Sequence, residues 1–426
     1  MPHKWVNFGT PVFHVNSKIT TMKKPLAIFA LSVGLGLLTT QCAKQNVDPA
    51  VGEDISIPAS FATTTSNFAF DFWGQLNKNT KPEENVFVSP LSLHMALGML
   101  LNGADGKTKT EIQQVLGFNG QELDQINLIY QELIKNLPMV DSKVTNKMAN
   151  SVWQRRGFTV RPEFLQVLNT RFNAQIFEED FSYPATVNKI NQWASDQTNK
   201  KITKVLEQIT DEQVMFLMNA LYFKGDWKFP FDKDRTFKTT FAGLTKQGNI
   251  SLMNARHTVP YYQGQTFQAV ELPYGRGQYA MTLILPNEGV SMSNFLNSFT
   301  ADTWNTIRQN SREQKVEVGL PKFTMEYSVR LNEVLKAMGM PTVFTNQADL
   351  SKIAPPAGAL RVGFVKQDTY LGVDEVGTEA AAVTTIGIEL TSAPSYPTVF
   401  CDRPFILVIH EKSSNTIQFM GKIVNL

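Results

Sequence analysis

Histidine, cysteine and acidic side chains are where chemistry would begin, and in this sequence they lie scattered. Of the five histidines, His3 and His14 precede Met22, and His94, His257 and His410 are far from one another. No HExxH pair and no paired-cysteine spacing offers a zinc site, so no metal is expected. There is no GxSxG elbow and no GxxxxGK[ST] phosphate loop. The nearest glycine pattern, GRGQ at 275 to 278, reads as a hairpin turn. His94 sits in the apolar run SLHMALGML and reads as a packed, hydrogen-bonded histidine. No catalytic residue and no cofactor are assigned, and the chain does not read as an enzyme. The most definite pattern is VDEVGTEAAAVTTIGIELTS, 373 to 392. Acidic Asp374 and Glu375 and then Gly377 precede two alternating sets of side chains. One set is Thr378, Ala380, Ala382, Thr384, Ile386, Ile388 and Leu390; the other is Glu379, Ala381, Val383, Thr385, Gly387 and Glu389. Period-2 patterning with a small-then-large apolar face argues for a strand buried on one side. The preceding Asp374, Glu375 and Gly377 and the loop-like TSAPSYPT of 391 to 398 suggest a loop instead, or a segment that is first one and then the other.

The elements that must position this stretch follow from patterning over a chain of 426 residues with 42% hydrophobic content and 29 phenylalanines, a composition that suits a large folded core rather than disorder. A net charge of +2 with interspersed signs gives no basic stripe, so nucleic acid is not an expected partner. No repeat of fixed period is present. Ser66 is expected to cap a helix carrying Phe68, Phe72 and Leu76 at helical spacing. After a short strand, Ser89-Pro90 opens a helix that Asn102-Gly103 ends, and Thr108 to Leu116 forms a second. From Asn150 onward strands cluster: SVWQ, AQIFEEDF, VMFLMNALYFKGDW, AVELPY and YAMTLILP. The stretch 331 to 338 is helical, stopped by Gly339. Strands follow at RVGFV, TYLGVDEV, PTVFCD, PFILVIHEK and IQFMGKIV. Helices early and strands late, without strict alternation, favour an α+β fold.

The N-terminus reads as an export signal. Lys23 and Lys24 precede an apolar run from Leu26 to Leu38, about 13 residues against the roughly 20 that a spanning helix needs. Residues 1 to 21 read as an upstream extension, 22 to 42 as the signal, 43 to 60 as a linker and 61 to 426 as one domain. Cys42 has the position of a bacterial lipoprotein cysteine, although Thr39, Thr40 and Gln41 match that motif poorly. A lipid there would anchor the chain without a spanning helix. The expected location is the outer membrane or cell surface as a lipoprotein, or the periplasm or exterior. Cys401 is then the one remaining cysteine and reads as a buried small hydrophobe, with no intramolecular disulfide.

Six segments, in order, resemble the serpins over nearly all of 61 to 426. They are NVFVSPLSLHMALGMLLNGADGKTKTEI from Asn85, NALYFKGDWKFPF (219 to 231), VELPY (270 to 274), LPKF (320 to 323), DEVGTEAAAV (374 to 383), and DRPFILVI with FMGKIV. The resemblance implies an α+β serpin fold: a large central β-sheet, surrounding helices, further small sheets and an exposed reactive-centre loop in a metastable monomer. It implies a suicide-substrate inhibitor whose partner is a target protease. The protease attacks a bait bond and forms a covalent acyl complex, and the loop, 377 to 391, inserts into the central sheet. Glu375, Gly377, Thr378, Glu379, Ala380, Ala381 and Ala382 match the hinge, whose inward Thr378, Ala380 and Ala382 are small enough to enter between strands. Burying Ile386, Ile388 and Leu390 at roughly 1.5 to 3 kcal/mol each gives about 5 to 9 kcal/mol of drive. Ala380→Arg is therefore expected to turn an inhibitor into a substrate.

By the family's spacing from Glu375 and Gly377, the reactive bond joins Thr391 to Ser392. Counting back from Arg403-Pro404 moves it toward Ala393-Pro394, which a proline leaving residue disfavours, and Leu390 is a second bait. With no Arg or Lys in 377 to 398, an elastase-like or subtilisin-like target is expected over a trypsin-like one, and a cysteine protease stays open. Motif matching pairs Glu375 with Lys322 near Trp227, and groups Ser89, Ser92 and Asn219 under the parting strands. Gln367 stands where the family usually has histidine, which implies a gate less sensitive to pH, and Val376 replaces a usual acidic or polar residue. The alternative is a non-inhibitory member, cleaved as a mere substrate or acting as a binding lipoprotein.

Overall fold

Phe61, Thr65, Phe68, Phe72 and Leu76 recur every three or four residues and are buried, so one stripe of the first helix, α1 (Ala59–Asn79), faces the interior. The computed structural model describes residues 54 to 355, 360 to 378 and 396 to 426. The helix begins earlier than Ser66, because Pro58 supplies the fixed extended entry and Phe61 already belongs to the apolar stripe. Ser66 is an interior, buried position rather than a cap.

The next elements are β1 (Val86–Val88), α2 (Pro90–Leu101), α3 (Gly106–Val115), α4 (Leu123–Asn136), β2 (Val144–Arg155), α5 (Pro162–Phe172), β3 (Ala174–Glu179) and α6 (Pro184–Gln197). Ser89 starts α2 by accepting from the Ser92 amide at 3.1 Å, with Pro90 in the first turn where a missing N–H costs nothing. Strands then dominate: β4 (Met215–Asp226), β5 (Phe237–Ala242), β6 (Gln247–Gln263), β7 (Phe267–Pro273) and β8 (Tyr279–Pro286). The β7–β8 hairpin turns through Gly275 and Gly277, at φ +50° and +107°, values that glycine adopts without strain. After α7 (Met292–Ser298) and α8 (Ala301–Asn310) come β9 (Arg312–Arg330) and α9 (Asn332–Met338), which ends at left-handed Gly339 (φ 115°). The last strands are β10 (Lys366–Val373), β11 (Gly377–Thr378), β12 (Thr398–Phe400), β13 (Phe405–Glu411) and β14 (Ile417–Ile423).

Residues 361 to 365, expected as a strand, are not one. Asn332 holds them instead, donating to the Gly363 carbonyl at 3.0 Å and accepting from the Val365 amide at 2.8 Å, and the ladder starts only at Lys366.

The strands join in the order β1-β14-β13-β8-β7-β6-β9-β10-β11-β4-β2-β3, with β12 on β9 and β5 on β6. Long β9 spans two sheets: Arg312 to Lys322 pairs with β6, and Phe323 to Arg330 pairs with β10. β13 and β14 are buried along their whole length, which suits continuous apolar strands in the centre of a large core. The arrangement is α+β, with the helices predominantly early and the strands late.

Candidate functional site

The chain reverses between Val373 and Thr378, and this reversal is where the most specific contacts gather. Asp374 makes the turn, its Oδ1 accepting from the Val376 amide at 2.9 Å and the Gly377 amide at 3.2 Å, while its own amide donates to the Gly377 carbonyl at 2.9 Å. Thr378 then pairs back on Val373 of β10 and, on its other side, on Gly225 of β4. Gly377 admits no side chain, since a Cβ there would stand 2.2 Å from the Gly225 carbonyl oxygen.

Trp227 fastens the reversal from just past the end of β4. Its indole N–H donates to the Asp374 carbonyl at 2.9 Å and its amide to the Val376 carbonyl at 2.8 Å. Its ring stacks on Tyr274 at 4.4 Å and 12°. Lys322 of β9 reaches Glu375, Nζ to Oε2 at 2.8 Å, and the Thr236 hydroxyl donates to the other carboxylate oxygen at 3.1 Å. Burial works to raise the Glu375 carboxyl, but the Lys322 ammonium and the other donors outweigh it and hold the group below its ordinary range. Glu375 is buried and Lys322 only partly so. Removing the cation from such a carboxylate costs about 2 to 3 kcal/mol. Lys322→Ala is therefore expected to lower the Tm of the intact protein by about 3 to 4 °C. Thermal melts check this, and an unchanged Tm contradicts it.

Below the reversal, β4 and β10 share no ladder among the described residues; β11 alone joins them. Between them runs a slot of about 20 Å³, room for roughly one water, walled by Leu221, Tyr222 and Phe223 on one side and Tyr370, Leu371 and Gly372 on the other. Thr378 closes one end, and Ile409 and Phe419 contribute to the apolar lining. Gln367 ties β10 to the start of α2: it accepts from the Ser89 amide and donates to the Ser89 carbonyl, each at 2.9 Å. Ser89 in turn caps α2 at Ser92. Asn219 is not in this cluster among the described contacts. It lies on β4 opposite Asn150 of β2, to which it donates at 2.7 Å, and its own buried oxygen has no partner among them. Because β4 and β10 do not pair, Asn219 and Gln367 remain on separate strands without a connecting bond.

The chain is fastened again at Tyr396. Its ring lies 4.2 Å from the Arg256 guanidinium, the Pro397 carbonyl accepts from the Glu317 amide at 3.0 Å, and β12 runs parallel to β9 from Thr398 opposite Glu317. Thr391, Ser392, Leu390, Ala393, Glu379, Ala380, Ala381, Ala382 and Cys42 lie outside the described residues.

The histidines do not converge. His94 is buried among Phe61, Phe68 and Phe118, its Nδ1 2.9 Å from the Tyr130 hydroxyl, and burial pushes it down to about 3 despite the Leu116 carbonyl. His257 stacks on Phe229 at 5.5 Å. His410 lies beside Thr282 and Glu271; burial lowers it to about 4, against the pull of Glu271. Among the described residues no group of three or more potential metal ligands occurs. Cys401 is buried and burial pushes its thiol up. Sequence reasoning missed Asp374 as the turn-maker and Thr236 and Tyr274 as partners of the hinge. An aspartate two and three residues before unprotected amides is a readable turn signal; the other two contacts span over a hundred residues of sequence and leave no local sign.

A family model described as serpin (serine protease inhibitor) matches residues 63–426. Iripin-8 of Ixodes ricinus is 32% identical over 362 residues, covering 82% of this chain and 89% of that protein. An uncharacterized serpin-like protein of Thermococcus kodakarensis is 33% identical, with 84% of each chain covered. The crystal structure of a thermophilic serpin, tengpin, in the native state superposes with a TM-score of 0.79 at 30% identity, covering 88% of this chain and 96% of that one.

Proposed function

The chain belongs to the serpin family of serine protease inhibitors, and from that premise we propose that it is a suicide-substrate inhibitor that traps its protease by strand insertion. Membership supports protease inhibition as the general function and gives no support to catalysis by this chain. In the proposed reaction the target's serine oxygen attacks the Thr391 carbonyl carbon. The Thr391–Ser392 C–N bond breaks, Ser392 leaves as an amine carrying the proton, and Thr391 remains as an ester on the protease. The freed arm then enters between β4 and β10, starting from Thr378, and carries the acyl-enzyme with it.

The observation that carries this reading is β11. Its residues already lie between two strands that share no other ladder, at the head of a slot lined by both. Continuing that strand would supply the missing ladder on both sides, each bond contributing roughly 0.5 to 1.5 kcal/mol. The apolar Ile386, Ile388 and Leu390 fall on the same alternation as Thr378. The absence of Arg and Lys from 377 to 398 favours an elastase-like or subtilisin-like serine protease over a trypsin-like one.

Incubation with such a protease, followed by a denaturing gel and mass analysis, tests the proposal. The expected result is a complex that survives boiling in detergent and a released peptide beginning at Ser392. Clean cleavage within 385 to 395 with no complex would make the protein a substrate only. Export and a lipid at Cys42 belong to the same proposal; Cys42→Ala is then expected to move the protein from the membrane fraction to the soluble one.

A further inference from the structure

The hydroxyl of Tyr274 lies 2.6 Å from the hydroxyl of Thr378. Tyr274 has no exposed surface and Thr378 only 4%. Among the described residues this is the one hydrogen bond the Tyr274 hydroxyl makes. The ring that carries it is fixed on three sides. It stacks on Trp227, meets Phe223 edge-on at 5.2 Å, and presses so close to Gly225 that a Cβ there would stand 2.8 Å from the ring. Tyr274 follows β7, outside the slot, and bridges Trp227 just past the end of β4. It is therefore a fixed point against which an entering strand can be measured.

What needs measuring is register. Strand side chains alternate faces, so a slip of one residue exchanges the two sets completely. With Thr378 inward, Ala380, Ala382, Thr384, Ile386, Ile388 and Leu390 share its face. A slip by one would instead turn Glu379 and Glu389 toward the core. Backbone pairing alone does not prevent this, because ladder hydrogen bonds are the same for every residue type. A side-chain contact at Thr378, the first residue of the strand that carries a side chain, does.

We propose that Tyr274 is a positioning residue that sets the register of strand insertion by holding the hydroxyl of Thr378. This deepens the inhibitory reading given above and rests on it. The pin acts after the bait bond is cut, when entry of the arm competes with hydrolysis of the acyl-enzyme. Its loss should change how cleaved molecules divide between trapped and released, and should leave the rate of cleavage alone.

Tyr274→Phe and Thr378→Val each remove one hydroxyl and keep the shape. With an elastase-like protease, each is expected to raise the ratio of released to trapped molecules by about 3- to 10-fold, the range a single hydrogen bond supports. The second-order rate of cleavage should stay within about twofold of wild type, since the reactive bond is untouched. The double variant should be no worse than either single one, because both remove the same bond. Thr378→Ser, which restores a hydroxyl, should behave as wild type. Wild-type partitioning in both single variants, or a double variant whose effect is the product of the two, would overturn the inference while leaving the insertion reading intact. A wild-type protein that forms no complex would overturn both.

Discussion

Thr378→Arg is expected to leave the protein as readily cleaved as the wild type and almost unable to hold a protease. Thr378 is 4% exposed, has ladder partners on both sides, and its hydroxyl meets that of Tyr274. A guanidinium cannot keep that place, because an unpaired buried charge costs several kcal/mol, so position 378 would leave the sheet in the intact protein and the arm would have to carry the charge back in during insertion. Each 1.4 kcal/mol on the insertion barrier slows entry about tenfold, so a cost of about 3 kcal/mol slows it more than a hundredfold. Hydrolysis of the acyl-enzyme then wins. A denaturing gel should show the cleaved form accumulating with no detergent-stable complex. Complex yield equal to wild type would show that position 378 need not enter the sheet. Ala380→Arg, two positions along on the same alternation, is expected to act in the same way.

The second large effect is acid lability with an origin in the core rather than at the hinge. His94 and His410 are both lowered, to about 3 and about 4, chiefly by burial. A histidine with a depressed folded-state pKa binds its proton more readily when unfolded. Its neutral form is the one the fold accommodates, so stability is full above the unfolded value near 6.5 and falls as pH drops below it. Each contributes a loss of about 1.4 kcal/mol per pH unit in that window, or about 2 kcal/mol each between pH 6.5 and 5. The Glu375 carboxyl is held below its ordinary range and so loses its contribution only at lower pH, as it falls through its folded value. Urea unfolding at pH 7 and pH 5 should therefore differ by about 4 kcal/mol, and His94→Gln should remove about half of that difference. Equal stability at the two pH values would contradict the burial argument. The polar tie between β10 and α2 is not part of this response, because Gln367 bonds the Ser89 backbone with an amide that does not titrate.

Much of the architecture is legible in local patterning. The apolar stripe of α1, the proline-initiated α2, the stop at Gly339 and the glycine hairpin after β7 all follow from spacing and backbone preference. The misses have physical causes. Ser66 looked like a cap because serine precedes an apolar run, whereas Phe61 extends that run backward and Pro58 provides the entry. RVGFV has a strand's composition but joins no ladder: Asn332 takes the Gly363 carbonyl and the Val365 amide, while Val362 and Val365 make single backbone bonds to Val343 and Leu331. At the site, Lys322 and Glu375 lie 2.8 Å apart and Trp227 lies over the reversal, positions that motif matching singled out. Asn219 bonds Asn150, its register partner on β2, whereas Ser89 is taken by Gln367 of β10, a strand that does not pair with β4. Tyr274 closes the VELPY motif, but nothing local marks its partner: its contact with Thr378 exists only once β7, β4 and β11 are brought together.

The central claim is that cutting one bond lets a strand complete the gap between β4 and β10. Differential scanning calorimetry of the intact protein and of the form cleaved at Thr391–Ser392 tests it most directly. Burial of Ile386, Ile388 and Leu390 alone adds about 5 to 9 kcal/mol, which predicts a cleaved form melting about 6 to 12 °C above the intact one. A cleaved form that melts at or below the temperature of the intact protein would contradict the account.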